Sequence, residues 1–224
     1  MMRRSELIVL GLIIASFIIG AGIYPLMPEE VASHWNATGE VDGYMPKFWG
    51  VFLLPVISVP LLVLFILIPR IDPLRENIEN FRRYYDLLVV LIMSFLFYIY
   101  VLTIAWSLGY RYSMNKALSP AIGVLLYYMG IVVGNAKRNW FVGIRTPWTL
   151  SSDVVWDKTH RKGARLFKIC GLIAFLGILF EEYAVFFMVA PVISTSAYLI
   201  IYSYWEYGRV RRGETRGIKK KKSK

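Results

Sequence analysis

Six long apolar runs constrain this chain more than any motif in it. They occupy residues 7–27, 48–68, 87–108, 117–134, 166–180 and 183–204. At a helical rise of about 1.5 Å per residue, most of them reach across the roughly 30 Å hydrocarbon core of a bilayer. The fifth is short by itself, so its helix is expected to begin upstream, in the polar segment before it. The last two runs are joined around Glu181 and Glu182 and are expected to form a tight antiparallel pair. Only 18% of the residues are charged and 57% are hydrophobic, against about 25% charged in ordinary soluble domains. The expected fold class is all-α: a polytopic membrane bundle of six transmembrane helices.

The basic residues set an expected orientation. Of 26 Lys and Arg, all but Lys47, Arg111, Lys116 and Lys168 fall on one side of a six-span path. That side holds Arg3, Arg4, the 70–83 connector, the 135–165 segment and the tail, whereas Glu29, Glu30, Glu40, Asp42, Glu181 and Glu182 fall on the other. The positive-inside rule puts both termini in the cytoplasm. The first run, about 20 residues long, exceeds the 7–15 of a cleaved signal h-region and reads as a retained anchor. Three parts are expected: a two-helix unit with a structured external loop over 1–70, a four-helix unit over 71–208, and a basic cytoplasmic tail over 209–224. The tail serves topology and attraction to anionic lipid. The net charge of +11 comes with no soluble basic module, so direct nucleic-acid binding is not expected.

None of the six runs carries Asp, Glu, Lys, Arg or His near its centre. Proton-coupled carriers and intramembrane proteases need such residues in the hydrocarbon, and both classes are disfavoured. Pro55, Pro60, Pro120 and Pro191 lie in or near the runs, where a bundle tolerates kinks if neighbours satisfy the released carbonyls. The single cysteine, Cys170, reads as a packing residue, so no disulfide or CxxC metal pair is available. The two histidines, His34 and His160, belong to opposite faces of the membrane and cannot share a metal. No cofactor is expected.

Two polar stretches carry the chemistry. The external "YPLMPEEVASHWNATGEVDGYMPK" (24–47) is rich in turn formers, with Trp35 and Tyr44 suited to the membrane interface, and is expected to fold back onto the bundle. A metal held by His34 with Glu29, Glu30 or Asp42 is a minor reading, and "NAT" at Asn36 matches the glycosylation acceptor pattern. The internal stretch is "GNAKRNWFVGIRTPWTLSSDVVWDKTHRKGAR" (134–165). Pro147 ends any helix before it. Ser151 or Ser152 caps the next, with Asp153 in its first turn, and that helix runs through Trp156 and His160 into the fifth span. Arg145 carries a fork of donors suited to phosphate, carboxylate or backbone carbonyls. It either clamps its own loop or meets a partner. At spacings of four and three, Asp153, Asp157 and His160 share a helix face, which with Arg145 leaves a lipid-headgroup enzyme as one alternative.

"GNAKRNWFVGIRTPWTL" followed by "VWDKTHRKG" resembles the signature of the SdpI-like family of membrane immunity proteins. The first external loop, through Tyr24, Pro25, Pro28, His34, Trp35, Asn36, Gly39, Asp42 and Lys47, resembles a domain of unknown function that often precedes the SdpI-like part. The resemblance implies a six-span plasma-membrane protein that protects against a peptide toxin and, as a receptor, holds a cytoplasmic regulator protein. It carries over no catalytic residue. The candidate binding residues are Asn135, Asn139, Gly143, Arg145, Thr146, Pro147, Trp148, Trp156 and His160 within. Outside they are His34, Trp35, Asn36, Asp42 and Lys47. Partners implied are membrane lipids, an external peptide toxin and the regulator. A transporter or lipid-handling protein, passing substrate between kinked neutral helices, is the other main alternative.

Overall fold

A computed structural model describes residues 3–222, with side chains to Gly213, and it is 78% helical. Helix α1 (Arg4–Ile23) leads into a β-hairpin, β1 (Glu30–Trp35) and β2 (Val41–Pro46). There follow α2 (Lys47–Ile71), the short α3 (Arg75–Asn80), α4 (Arg82–Ser107) and α5 (Met114–Asn135). After the motif loop come the single turn α6 (Pro147–Leu150), α7 (Asp153–Ala174) and the long α8 (Ala184–Lys222). The tail is thus continuous with α8 as far as the described residues go, and residues 223–224 lie outside them.

The expected all-α membrane bundle fits, with one β element added: the loop between α1 and α2 pairs as an antiparallel hairpin, with Val31 opposite Met45 and Trp35 opposite Val41. Asn36 closes its turn: the side-chain oxygen accepts from the Thr38 and Glu40 amides at 3.0 and 2.9 Å. Among the described residues, five helical segments are long and apolar enough to cross a membrane: Arg4–Leu26, Lys47–Ile71, Arg82–Ser107, Met114–Asn135 and Glu181–Gly213. The fifth apolar run does extend upstream as expected, but the resulting α7 carries Asp157, Lys158, Arg161, Lys162, Arg165 and Lys168 in its first three quarters. That charge removes it from the apolar set.

Contacts nevertheless align six long helices between two ends of one bundle. At the motif end, Arg3 pairs with Glu79 and Asp86 at 3.4 Å, and the Asn77 amide donates to the Arg138 carbonyl at 2.7 Å. At the hairpin end, the Asn115 amide donates to the Ala37 carbonyl at 2.9 Å, and Lys116 pairs with Glu181 at 2.7 Å. Helix α7 runs antiparallel to α5 at close approach. A Cβ on Gly130 would lie 2.6 Å from the Ala164 carbonyl, and one on Gly171 would lie 2.6 Å from the Gly123 carbonyl. Small residues at such crossings let backbones touch where lipid offers no hydrophobic drive for association.

Burial is sparse along the outer helix faces, as expected where lipid is the solvent: Leu7, Ile14 and Ile18 of α1 and Ile193 and Ile201 of α8 are exposed. Inside, tyrosine hydroxyls cross between helices. Tyr100 donates to the Ser16 carbonyl at 3.0 Å, and Tyr85 donates to the Phe65 carbonyl at 2.7 Å. The second bond has a specific cause. Pro69, inside α2, has no N–H, so the carbonyl four residues back is orphaned, and Tyr85 supplies the donor.

Candidate functional site

The motif loop is held from below by a buried asparagine. Asn139 is fully buried, its side-chain oxygen accepts from the Phe141 and Val142 amides at 2.9 and 2.6 Å, and its amide donates to the Lys137 and Val142 carbonyls at 2.8 Å. The side chain therefore replaces a stretch of secondary structure by bonding four backbone groups that no helix or strand would satisfy. From the α2–α3 corner, buried Asp72 reaches across to accept from the Trp140 amide at 2.9 Å while also capping Leu74 at 2.6 Å. Arg138 donates to the Leu150 carbonyl at 2.9 Å and pairs with Asp153 at 2.7 Å, closing the loop's other end.

Gly143 then turns the chain with φ +121°, and a Cβ there would lie 2.4 Å from His160 Nε2. Only glycine suits both the left-handed backbone and the space. Below it, the His160 and Trp156 rings stack with centroids 3.8 Å apart and planes 17° from parallel. Trp156 donates through Nε1 to the Ala136 carbonyl at 2.9 Å. His160 is a neutral linker: Nδ1–H donates to the Trp156 carbonyl at 2.9 Å and Nε2 accepts from the Ile144 amide at 3.0 Å. It lies in the polar half of α7, and burial pushes its pKa down from 6.5 to about 4. Next, Thr146 caps α6 in a reciprocal box with Thr149, Pro147 takes the first helical position, and the Thr146 hydroxyl meets Ser203 of α8 at 3.0 Å. Trp148 packs edge-on against Tyr204 at 5.1 Å, and Ser152 caps α7.

The structure therefore splits the motif-loop candidates. Asn139, Thr146, Trp156 and His160 are buried and, with Gly143, hold the loop's shape, while Asn135, Arg145 and Pro147 are exposed and Trp148 is half-buried. Asn135 bonds back to the Ile131 carbonyl of its own helix at 2.8 Å, and Arg145 donates to the Trp140 carbonyl at 2.6 Å while remaining open to solvent. The acids do not converge with the imidazole: Asp153 and Asp157 are exposed, Asp153 is taken by Arg138, and His160 points inward. Sequence reasoning overlooked Asp72, Asn77, Arg138 and Ser203. The "DP" pair at 72–73 was a legible turn signal; the others had none.

The candidates from the first loop are spread over the hairpin. His34 pairs with Asp42 at 2.5 Å, while Lys47 pairs with Glu29 at 3.5 Å and sits 5.0 Å over the Tyr24 ring. Among the described residues no three His, Cys, Asp or Glu gather around a common point. Trp35 packs edge-on against Trp106 of α4 at 5.8 Å, and its buried Nε1–H has no acceptor. It lines a cavity of about 330 Å³ beneath the hairpin, shared with His34, Met45, Trp49, Thr103 and Asn115.

Residues 135–203, from the end of α5 through most of α8, match the SdpI/YfhL protein family. Residues 11–59, covering most of α1, the hairpin and the first half of α2, match a domain of unknown function, DUF1648. The chain is similar to Immunity protein SdpI of Bacillus subtilis (strain 168), at 24% identity over 211 residues, covering 92% of this chain and 98% of that protein. No solved structure gives a significant match. This chain is therefore a multi-pass membrane protein that resembles the SdpI-like immunity family, with the DUF1648 segment at its N-terminal end.

Proposed function

We propose that this protein sits in the plasma membrane with both termini and the motif loop in the cytoplasm, and that it protects against a membrane-active peptide toxin or senses an external ligand. The observation that carries the reading is a pair of ordered, motif-bearing surfaces at opposite ends of one bundle, in a chain similar over 92% of its length to an immunity protein. The hairpin cavity, lined by Trp35, Met45 and Trp49, would receive an apolar side chain of the toxin. The exposed motif edge, Arg145 with Pro147 and Trp148, would face a regulator protein. In this topology the sixth span is the apolar stretch 166–180, which α7 enters from its polar half. A transporter needs a polar path through the middle, whereas the cavity among Ser16, Ser58 and Tyr100 is about 10 Å³, room for about one water.

The test is expression in toxin-sensitive cells challenged with a panel of membrane-active peptides. Arg145→Ala and Trp148→Ala should each abolish protection at unchanged membrane abundance, and Trp35→Phe should weaken it from the other end. Full protection by the two motif variants removes the loop from the mechanism. External labelling of residues 135–165 would overturn the orientation.

A further inference from the structure

A groove between α7 and α8 at the motif end belongs to none of the surfaces described so far. It encloses about 290 Å³ and brings five basic side chains, Lys158, Arg161, Lys162, Arg165 and Arg209, around one carboxylate, Glu206. Glu206 is 2% exposed and already engaged: Lys158 donates to it, and Arg209 lies 3.8 Å away. Lys162 is met by the Tyr198 hydroxyl at 3.0 Å and sits 4.9 Å over the Tyr202 ring, contacts that leave its charge uncompensated. Arg161 and Arg165 have no carboxylate partner among the described residues.

The depth of these cations makes the imbalance informative. Ala164 and Lys168 lie against Gly130 of α5, and Gly130 is inside the apolar run 117–134. Arg165 is thus level with the apolar run of the neighbouring helix, about one turn in from its end at Gly134, and an uncompensated charge at that depth in a bilayer is costly. A counter-anion that arrives laterally, from the lipid, meets that need. One turn and two turns further along the same face of α7 come Ile169 and Leu172, exposed at 50% and 60%. The stripe therefore reads cationic and then apolar in the order of a phospholipid's head and chain. Basic pockets between helices near the cytoplasmic surface are the usual form of such sites.

We propose that the α7–α8 groove binds the phosphate-bearing head group of an anionic membrane lipid, with Arg161 and Arg165 as its ligands and the acyl chain laid along Ile169 and Leu172. The binding of lipid here is independent of toxin recognition at the hairpin.

The experiment uses the full chain purified in a neutral detergent and titrated with phosphatidylglycerol or phosphatidylcholine in mixed micelles, bound lipid being counted by native mass spectrometry. Phosphatidylglycerol should be retained in preference, and Arg161→Gln with Arg165→Gln should weaken retention about 30-fold, from losses of about five- to sixfold per arginine at a lipid surface. The Lys pair, Arg161→Lys with Arg165→Lys, keeps the charge and should restore most of the binding, which separates loss of ligand from loss of fold. A charge-matched control, Arg75→Gln with Lys137→Gln, removes two exposed cations from the same end outside the groove. An equal loss in the control shows diffuse attraction and overturns the site. Displacement of lipid by equimolar inorganic phosphate would make it a site for the free ion and overturn it as well, as would undiminished retention by the Gln pair.

Discussion

Lowering the pH should loosen the motif loop through one side chain, His160. Its ring is 2% exposed and both nitrogens are committed in the neutral form, one donating to Trp156 and one accepting from Ile144. A second proton would place an N–H against the Ile144 N–H. Burial therefore lowers the folded-state pKa from 6.5 to about 4. Between those values the unfolded chain binds more protons than the folded one, so stability falls as pH drops through that window. Above about pH 6.5 the residue contributes no pH dependence, and below about 4 the loss is complete. At about 1.4 kcal/mol per pKa unit, the total is about 3 kcal/mol. Reversible unfolding in mixed micelles, followed by tryptophan emission from about pH 7 to about pH 4, measures it. His160→Gln cannot titrate, while every surface carboxylate is common to both proteins. The wild type should lose about 3 kcal/mol more than the variant across the window. Parallel curves would refute the buried neutral imidazole and the loop geometry built on it.

Asn139→Asp keeps the acceptor but turns a carboxylate oxygen toward the Lys137 and Val142 carbonyls, so melting of the purified protein should report a loss of about 3 kcal/mol. Gly143→Ala meets both a φ of +121° and the imidazole at 2.4 Å, and should cost about 2 kcal/mol or more while flattening the acid transition, because His160 is displaced. Tyr85→Phe should cost about 1–2 kcal/mol with Pro69 in place and much less in a Pro69→Ala background, where the new N–H can bond the Phe65 carbonyl. A double-mutant cycle with no coupling would disprove that pairing.

The residues that look alike in sequence fare differently in space. Asp153, Asp157 and His160 share a helix face by spacing, yet the acids are exposed and the imidazole is buried. The spacing marks a sector of α7, and packing against Gly143 and Trp156 decides how far into the core each side chain in that sector reaches. Similarly, the turn formers between Tyr24 and Lys47 announced an ordered loop, but strand pairing depended on α2 and α4 covering Val31 and Trp35.

What the order of residues determined alone is local: apolar runs long enough for a bilayer, a serine cap at the start of α7, and the gathering of cationic residues in the connectors. Each follows from chemistry within a few neighbours. What tertiary structure decided is every bond between distant segments: Asp72 to Trp140, Thr146 to Ser203, Tyr85 to the carbonyl Pro69 leaves open, and Glu206 among the cations of α7. Polar groups far apart in the chain become partners only when helices rotate and approach to a fixed depth. That rotation is selected by close contacts such as Gly130 on Ala164, which no local pattern encodes.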